Sequence, residues 1–139
     1  MKILITGTNS GLGKYLSRQF DDVDNLDRSK TANDFSDIFY DIIIHSAAKV
    51  VHYNWEDKIP YGFLEDNIFL TDKLLNLNFS KFIYISSIDQ NKNTPYGISK
   101  RLSEVIIKSK SNSYLIIRPS ALLGKDMRMN SFQKIIKGE

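Results

Sequence analysis

The chain contains no cysteine, so neither a disulfide framework nor a thiolate metal site can organise it. No apolar run approaches the roughly 20 residues that a helical membrane span needs. Met1-Lys2-Ile3-Leu4-Ile5 runs straight into a turn and leaves no apolar segment of signal-peptide length. Repeats, linkers and low-complexity tracts are also lacking. These absences lead to the expectation of a cytoplasmic protein with no membrane partner. Charge of one sign is not concentrated either: 19 Lys and Arg against 16 Asp and Glu give +3, scattered along the chain. That pattern reads as a solvated surface and not as a nucleic-acid stripe. The two histidines, His45 and His52, lack supporting carboxylates, so no metal site is expected. His45, inside an apolar run, reads as a satisfied core histidine.

What is present is one globular domain's worth of apolar sequence: 139 residues, 42% hydrophobic and 25% charged. Short apolar runs alternate with amphipathic stretches, the pattern of a parallel sheet with crossover helices. Strands are expected at Lys2–Thr6, Val23–Asp27, Asp41–His45, Lys81–Ile85 and Ser113–Arg118. An abbreviated third strand is expected near Asp34, followed by a partial helix. Helices are expected over Gly11–Phe20, Glu65–Leu77 and Pro95–Lys108, with a final one over Met129–Lys137. Pro95 suits the first turn of its helix. The predicted fold is a doubly wound α/β sheet of Rossmann type in a single three-layer domain over 1–139. Its strand order is 3-2-1-4-5-6, with the third strand short or absent.

Between the first strand and helix lies Gly7-Thr8-Asn9-Ser10-Gly11-Leu12-Gly13. In that context a glycine turn is a dinucleotide-binding signature. The first glycine permits the turn, the second lets backbone approach a pyrophosphate, and the third lets helix pack on strand. Asn9, Ser10 and Leu12 fall within the same cradle. A side chain at Gly13 is expected to exclude the pyrophosphate without unfolding the sheet. A nucleoside triphosphate loop is excluded on spacing, because Thr8 and Tyr15 stand where it would need glycine and Ser or Thr. Asp27 lies about 20 residues beyond the first glycine, where an acid accepts hydrogen bonds from the adenosine ribose of NAD. Arg28 offers the opposite preference, for the extra phosphate of NADP. The cofactor is therefore NAD or NADP, with NAD favoured. Lys49 is read either as a phosphate or ribose contact or as a solvent-facing lysine. Val50 to Trp55 reads as a loop packed over the cofactor cleft by its aromatics, in preference to a substrate or partner surface.

Tyr96 and Lys100 stand at i and i+4, on one helical face. A phenol has a solution pKa of about 10. A neighbouring ammonium and a positive nicotinamide ring would lower it enough for acid–base work. Ser87 ends the preceding strand, at the edge where open parallel sheets bind ligands.

Together these residues resemble the short-chain dehydrogenase/reductase superfamily, in particular its extended NAD-dependent epimerase/dehydratase branch, nearest to dTDP-4-dehydrorhamnose reductase-like proteins. The resemblance covers nearly the whole chain. It implies that Ser87, Tyr96 and Lys100 are the catalytic group, with Lys100 also holding the nicotinamide ribose. It implies cofactor contacts at Ser46, Ala47 and Ala48 after the fourth expected strand, at Asn67 in the next helix, and at Pro119 and Ser120 bordering the nicotinamide. Asp34 and Phe35 are similar to the acidic–apolar pair that lies against adenine. The implied substrate is a nucleotide-linked sugar, reduced or epimerised; a homodimer stays open. Gly11, in place of a glycine at Ser10, is more like the single-domain branch. Three departures matter. Residues 88–95 alone separate Ser87 from Tyr96, although at roughly 3.3 Å per residue they reach far enough to bring the two together. Ser87-Ile88-Asp89 lacks the acidic pair of the dehydratases, which argues against dehydration. A C-terminal substrate domain is expected to be missing or minimal. Two readings result: an enzyme that transfers hydride with Tyr96 as acid or base, or a module that holds NAD(P) without independent catalysis.

Overall fold

The computed structural model describes residues 1–124, 127, 134, 135 and 138. Five strands form one parallel sheet: β1 (Ile3–Thr6), β2 (Val23–Leu26), β3 (Phe39–His45), β4 (Asn78–Ile85) and β5 (Tyr114–Ile117). Their order is β2-β1-β3-β4-β5, which is the expected order with the third strand removed. Where that strand was expected, Ala32–Phe35 form a 3-10 turn. The reason is local. Thr31 donates both its N–H and its hydroxyl to Asp34 Oδ2, at 2.6 and 3.1 Å, which closes the chain on itself.

Period-two alternation puts the strand side chains on two faces. Leu4, Ile43, Phe82 and Tyr84 point to one side, where Leu74 and Ile107 pack against them. Ile3, Ile5 and Ile44 point to the other, beneath Leu16 and Phe20. Leu16 belongs to α1 (Gly11–Ser17), so this helix covers one face alone. The opposite face is covered by α2 (Tyr61–Leu64) and α3 (Leu70–Leu74), joined through a π turn at Glu65–Phe69, and by α4 (Pro95–Lys110). The expected helix over 65–77 therefore begins earlier and carries an irregular turn in its middle. The helix expected over 129–137 falls, apart from Lys134 and Ile135, outside the described residues.

In a parallel sheet all carboxyl ends share one edge, and here the register pairs Thr6 with both Leu26 and His45, His45 with Tyr84, and Ile85 with Ile117. The segments that leave these ends therefore gather together. Ser86 N–H donates to Ile117 O at 2.7 Å, which carries the β4–β5 pairing one step past the strands.

Two glycines set the helices at the distances the site needs. A Cβ on Gly13 would lie 2.4 Å from Gly7 O, so only glycine lets α1 sit this close to the end of β1. The expectation that a side chain at Gly13 acts by blocking a pyrophosphate is corrected: it would first drive α1 off the backbone of the turn. A Cβ on Gly97 would lie 2.3 Å from Asp89 O and 2.5 Å from Lys92 O. The first turn of α4 is thus seated on the short segment that follows β4. Thr94 caps that turn by accepting the Gly97 N–H at 3.1 Å, and Pro95 occupies its first position.

Candidate active site

The glycine turn is the common wall of two clefts. The first, about 570 Å³, runs from Gly11–Gly13 past Ser46 and Ala47 to Ser87, Tyr96, Lys100 and Pro119–Ser120. The second, about 710 Å³, runs from Asn9 to Asp27 and Arg28, and is closed by Thr31, Ala32 and α3. Gly7, Ser10, Ala47 and Ala48 line both. Ser10 makes no side-chain cap on α1, so the first-turn N–H groups of that helix are not consumed by it.

Within the first cleft the structure brings Ser87, Tyr96 and Lys100 together. Ser87 begins a 3-10 turn, Ile88–Asn91, and its Oγ accepts the Asp89 N–H at 3.1 Å. That leaves the hydroxyl hydrogen of Ser87 to be donated elsewhere. Tyr96 is 7% exposed, and the His52 ring meets its ring edge-on at 5.3 Å. Lys100 is 2% exposed; its Nζ donates to Ile85 O at 3.0 Å and stands 4.8 Å over the Tyr84 ring and 5.9 Å from the Tyr96 ring. Burial pulls the Lys100 ammonium down to about 8, and the Glu104 carboxylate works in the opposite sense.

The loop after β3 is held from both sides. Thr6 Oγ1 accepts the N–H groups of Ser46 and Ala47 at 3.1 and 2.9 Å. The Ser46 hydroxyl donates back to Thr6 O at 2.5 Å. Asn67, in the π turn, accepts the Lys49 N–H at 2.7 Å and donates to Lys49 O at 3.0 Å. Asn67 and Lys49 thus pair with each other, and neither lines a cleft. His45 is the satisfied core residue expected: its ring nitrogens meet Thr6 Oγ1 at 2.8 Å and Thr71 Oγ1 at 3.0 Å. Burial, with a smaller push from Lys100, lowers its pKa to about 3. The aromatics of the 50–55 loop do close on their surroundings: Tyr53 packs on Phe63 at 5.3 Å, and Trp55 Nε1 donates to Asn93 O at 2.9 Å.

In the second cleft, Asp27 Oδ1 accepts both the hydroxyl and the N–H of Ser29, at 2.6 and 2.8 Å. Those bonds, the hydroxyl's first, hold its carboxyl below the usual carboxylate range. Arg28 is 84% exposed and lies 3.8 Å from Asp66. Asp34 and Phe35 are not brought to the cleft. Asp34 turns back on Thr31, and Phe35 enters the core edge-on to Tyr40 at 6.5 Å. Thr31 and Ala32 line the wall instead, because the 3-10 turn presents its first residues.

Sequence reasoning missed the layer beneath Ser87, Tyr96 and Lys100. Glu104, 3% exposed, accepts the Ser86 hydroxyl at 2.6 Å and a two-pronged pair from Arg118 at 2.9 and 2.6 Å. A signal was available: Glu104 follows Lys100 by one helical turn on an otherwise inward face of α4. Among the described residues no group of three His, Asp or Glu comes together as for a metal ion. Nor is any helix among them long and apolar enough to cross a membrane.

Comparison with known proteins agrees with this fold. No curated protein sequence matches the chain. Among solved structures, dTDP-4-dehydrorhamnose reductase from Bacillus anthracis in complex with NADP superposes with a TM-score of 0.76 at 25% identity, over 99% of this chain and 59% of its own. UDP-glucuronic acid 4-epimerase from Bacillus cereus in complex with NAD gives 0.69 at 20% identity, over 99% and 61%. A Bordetella bronchiseptica enzyme in complex with NAD+ gives 0.70 at 16% identity, over 99% and 63%. The chain thus spans about three fifths of the length of these relatives. A family model described as NAD dependent epimerase/dehydratase matches residues 3–137, and the chain belongs to that family.

Proposed function

We propose that the chain binds a nicotinamide dinucleotide across the two clefts and serves as an oxidoreductase or epimerase of a nucleotide-linked sugar. The observation that carries this reading is that Ser87, Tyr96 and Lys100 line the same cleft as the glycine turn and Pro119–Ser120. The residues fit the group. Two cavities of nucleotide size share one glycine-lined wall, which suits two nucleotide halves joined by a pyrophosphate. Asp27 would take the adenosine ribose, and Ser10 with the first turn of α1 would take the pyrophosphate. Lys100, Pro119 and Ser120 would border the nicotinamide and its ribose.

When bound, the dinucleotide supplies the hydride donor or acceptor. The protein's part is proton handling and orientation. Ser87, whose oxygen already accepts from Asp89, donates its hydroxyl to the substrate oxygen. Tyr96 exchanges a proton with the same oxygen, as acid in reduction and as base in oxidation. The Lys100 ammonium stabilises the phenolate between those events. NAD is the preferred cofactor in this reading, because an ionised Asp27 repels a 2′-phosphate.

Calorimetric titration of the full chain with NAD, NADP and their reduced forms tests the binding. No heat with any of them at millimolar ligand would sink the reading, and tighter binding of NADP than NAD would show that Arg28 outweighs Asp27. A second reading, a module that holds the dinucleotide without turnover of its own, has in its favour the exposed apolar rim at Leu122 and Leu123. Binding without hydride transfer to any sugar nucleotide selects it.

A further inference from the structure

Three segments that line the first cleft leave different elements: Ser86–Ser87 from β4, Pro119–Ser120 just past Arg118 at the end of β5, and Tyr96 with Lys100 from α4. One side chain of α4 bonds both Ser86 and Arg118. We propose that Glu104 is a positioning residue of the active site, its carboxylate fastening the β4 and β5 ends to α4 and its charge keeping the buried Lys100 side chain in its cationic form. The proposal rests on the functional reading above for what Lys100 does, and on the hydrogen bonds of Glu104 and its place one helical turn from Lys100 for what Glu104 does.

The geometry is specific. Ser86 Oγ donates to Glu104 Oε1 at 2.6 Å, one residue before the catalytic serine. Arg118 donates to both carboxylate oxygens, at 2.9 and 2.6 Å, one residue before Pro119. Such a two-pronged pair fixes direction as well as distance. A buried carboxylate is a poor choice for stability alone, since its desolvation offsets much of the attraction and an apolar side chain would fill the seam at less cost. What an apolar residue cannot supply is a negative charge one turn from Lys100.

The surroundings of Lys100 show why that charge matters. From β4 it faces the Ile85 carbonyl and the Tyr84 ring, from its own helix Tyr96 and Glu104, and from β3 the neutral His45. Glu104 is faced by Arg118 from the end of β5 and by Lys108 on α4. Burial raises the Glu104 carboxyl, but the bonds from Arg118 and Ser86 outweigh it and leave it below its ordinary value. Glu104 is therefore anionic across the working range, and its charge counteracts burial at Lys100.

The test is the titration of Lys100 in the full-length apo chain, followed by the 13C shift of its ε-carbon, which does not require a substrate. In Glu104→Gln the midpoint falls from about 8 by about one pH unit, and the pH profile of dinucleotide binding moves with it. An unmoved midpoint would overturn the proposal and leave Glu104 a strut. Should Glu104→Gln fail to fold, Arg118→Gln decides: removing the cation while keeping the carboxylate must leave the Lys100 midpoint level or raise it. A fall there overturns the proposal as well. A wild-type chain that binds no dinucleotide would defeat the functional reading but leave these midpoints to be measured.

Discussion

The floor of the Tyr96 cleft and the wall of the Asp27 cleft are separated only by the glycine turn, yet they are built by opposite means. Beneath Tyr96 the polar groups are buried and engaged with one another: Lys100 on Ile85 O, Glu104 on Ser86 and Arg118, His45 between Thr6 and Thr71. Around Asp27 the groups are solvated, and Arg28 extends into water. A buried network holds its members in place before any ligand arrives, and its charges cost stability. A solvated wall costs little and adjusts to what binds. That difference suits the proposed division of roles, reaction in the first cleft and grip in the second.

Lys100→Met should sharpen that contrast most. On the proposed function, turnover of a sugar nucleotide is expected to fall by about 10²-fold or more, the usual scale for a proton-transfer group and its support. The same change should stabilise the apo chain at pH 7. Lys100 titrates at about 8 in the fold against 10.5 unfolded, so between those values the unfolded chain holds more protons and stability rises with pH. The wild type therefore carries its full penalty below pH 8, and the variant's advantage in urea unfolding should shrink towards pH 10.5.

Gly97→Ala breaks the first cleft without touching its chemistry. The added Cβ meets backbone oxygens of residues 89 and 92, which cannot rotate away. A loss of about 1–3 kcal/mol is expected from such overpacking, with Ser87 and Tyr96 displaced from each other. Denaturant titration measures the first effect and the kcat of the variant the second.

Acid should loosen the Tyr96 side through His45. Its pKa is lowered from 6.5 to about 3, so as pH falls through 6.5 the unfolded chain takes up a proton that the folded chain refuses. Stability is expected to decline from pH 6.5 downwards. His45→Gln should be less stable at pH 7 but flatter between pH 6.5 and 4.5, as urea midpoints would record.

The smallest effect belongs to the Asp27 side. Arg28→Ala should change NAD affinity by no more than a few fold, since the side chain is 84% exposed. NADP affinity should fall by more, and calorimetry with both ligands reads the ratio.

The same contrast marks what was legible in the sequence. Strand runs such as Asp41–His45, the glycine turn and the Tyr96/Lys100 spacing are short-range patterns, and each stands where it was expected. Thr31–Phe35 misled because two polar side chains close a turn more cheaply than an isolated strand can pair, and periodicity does not register that competition. The π turn at Glu65–Phe69 escaped because apolar periodicity tolerates one irregular turn. Asp34 and Phe35 do not line the second cleft for the same reason as the strand: the turn engages Asp34 with Thr31 and sends Phe35 into the core. Glu104, Ser86 and Arg118 were invisible as a group because their union depends on three elements meeting, which only the register of β4 and β5 decides.

Four residues, Gly7, Ser10, Ala47 and Ala48, belong to both clefts at once. For a surface of this kind a dinucleotide is a bivalent ligand with a very short tether. Once one half is seated, the other sees its own cleft at an effective concentration in the millimolar range or above. Fragments such as AMP or ADP-ribose should then bind far more weakly than their share of the contacts suggests. Release of the whole molecule would require both halves to let go within the same brief interval. On the proposed binding mode, a change at Ser10, which lines both clefts, should shorten residence time more than a change confined to either cleft.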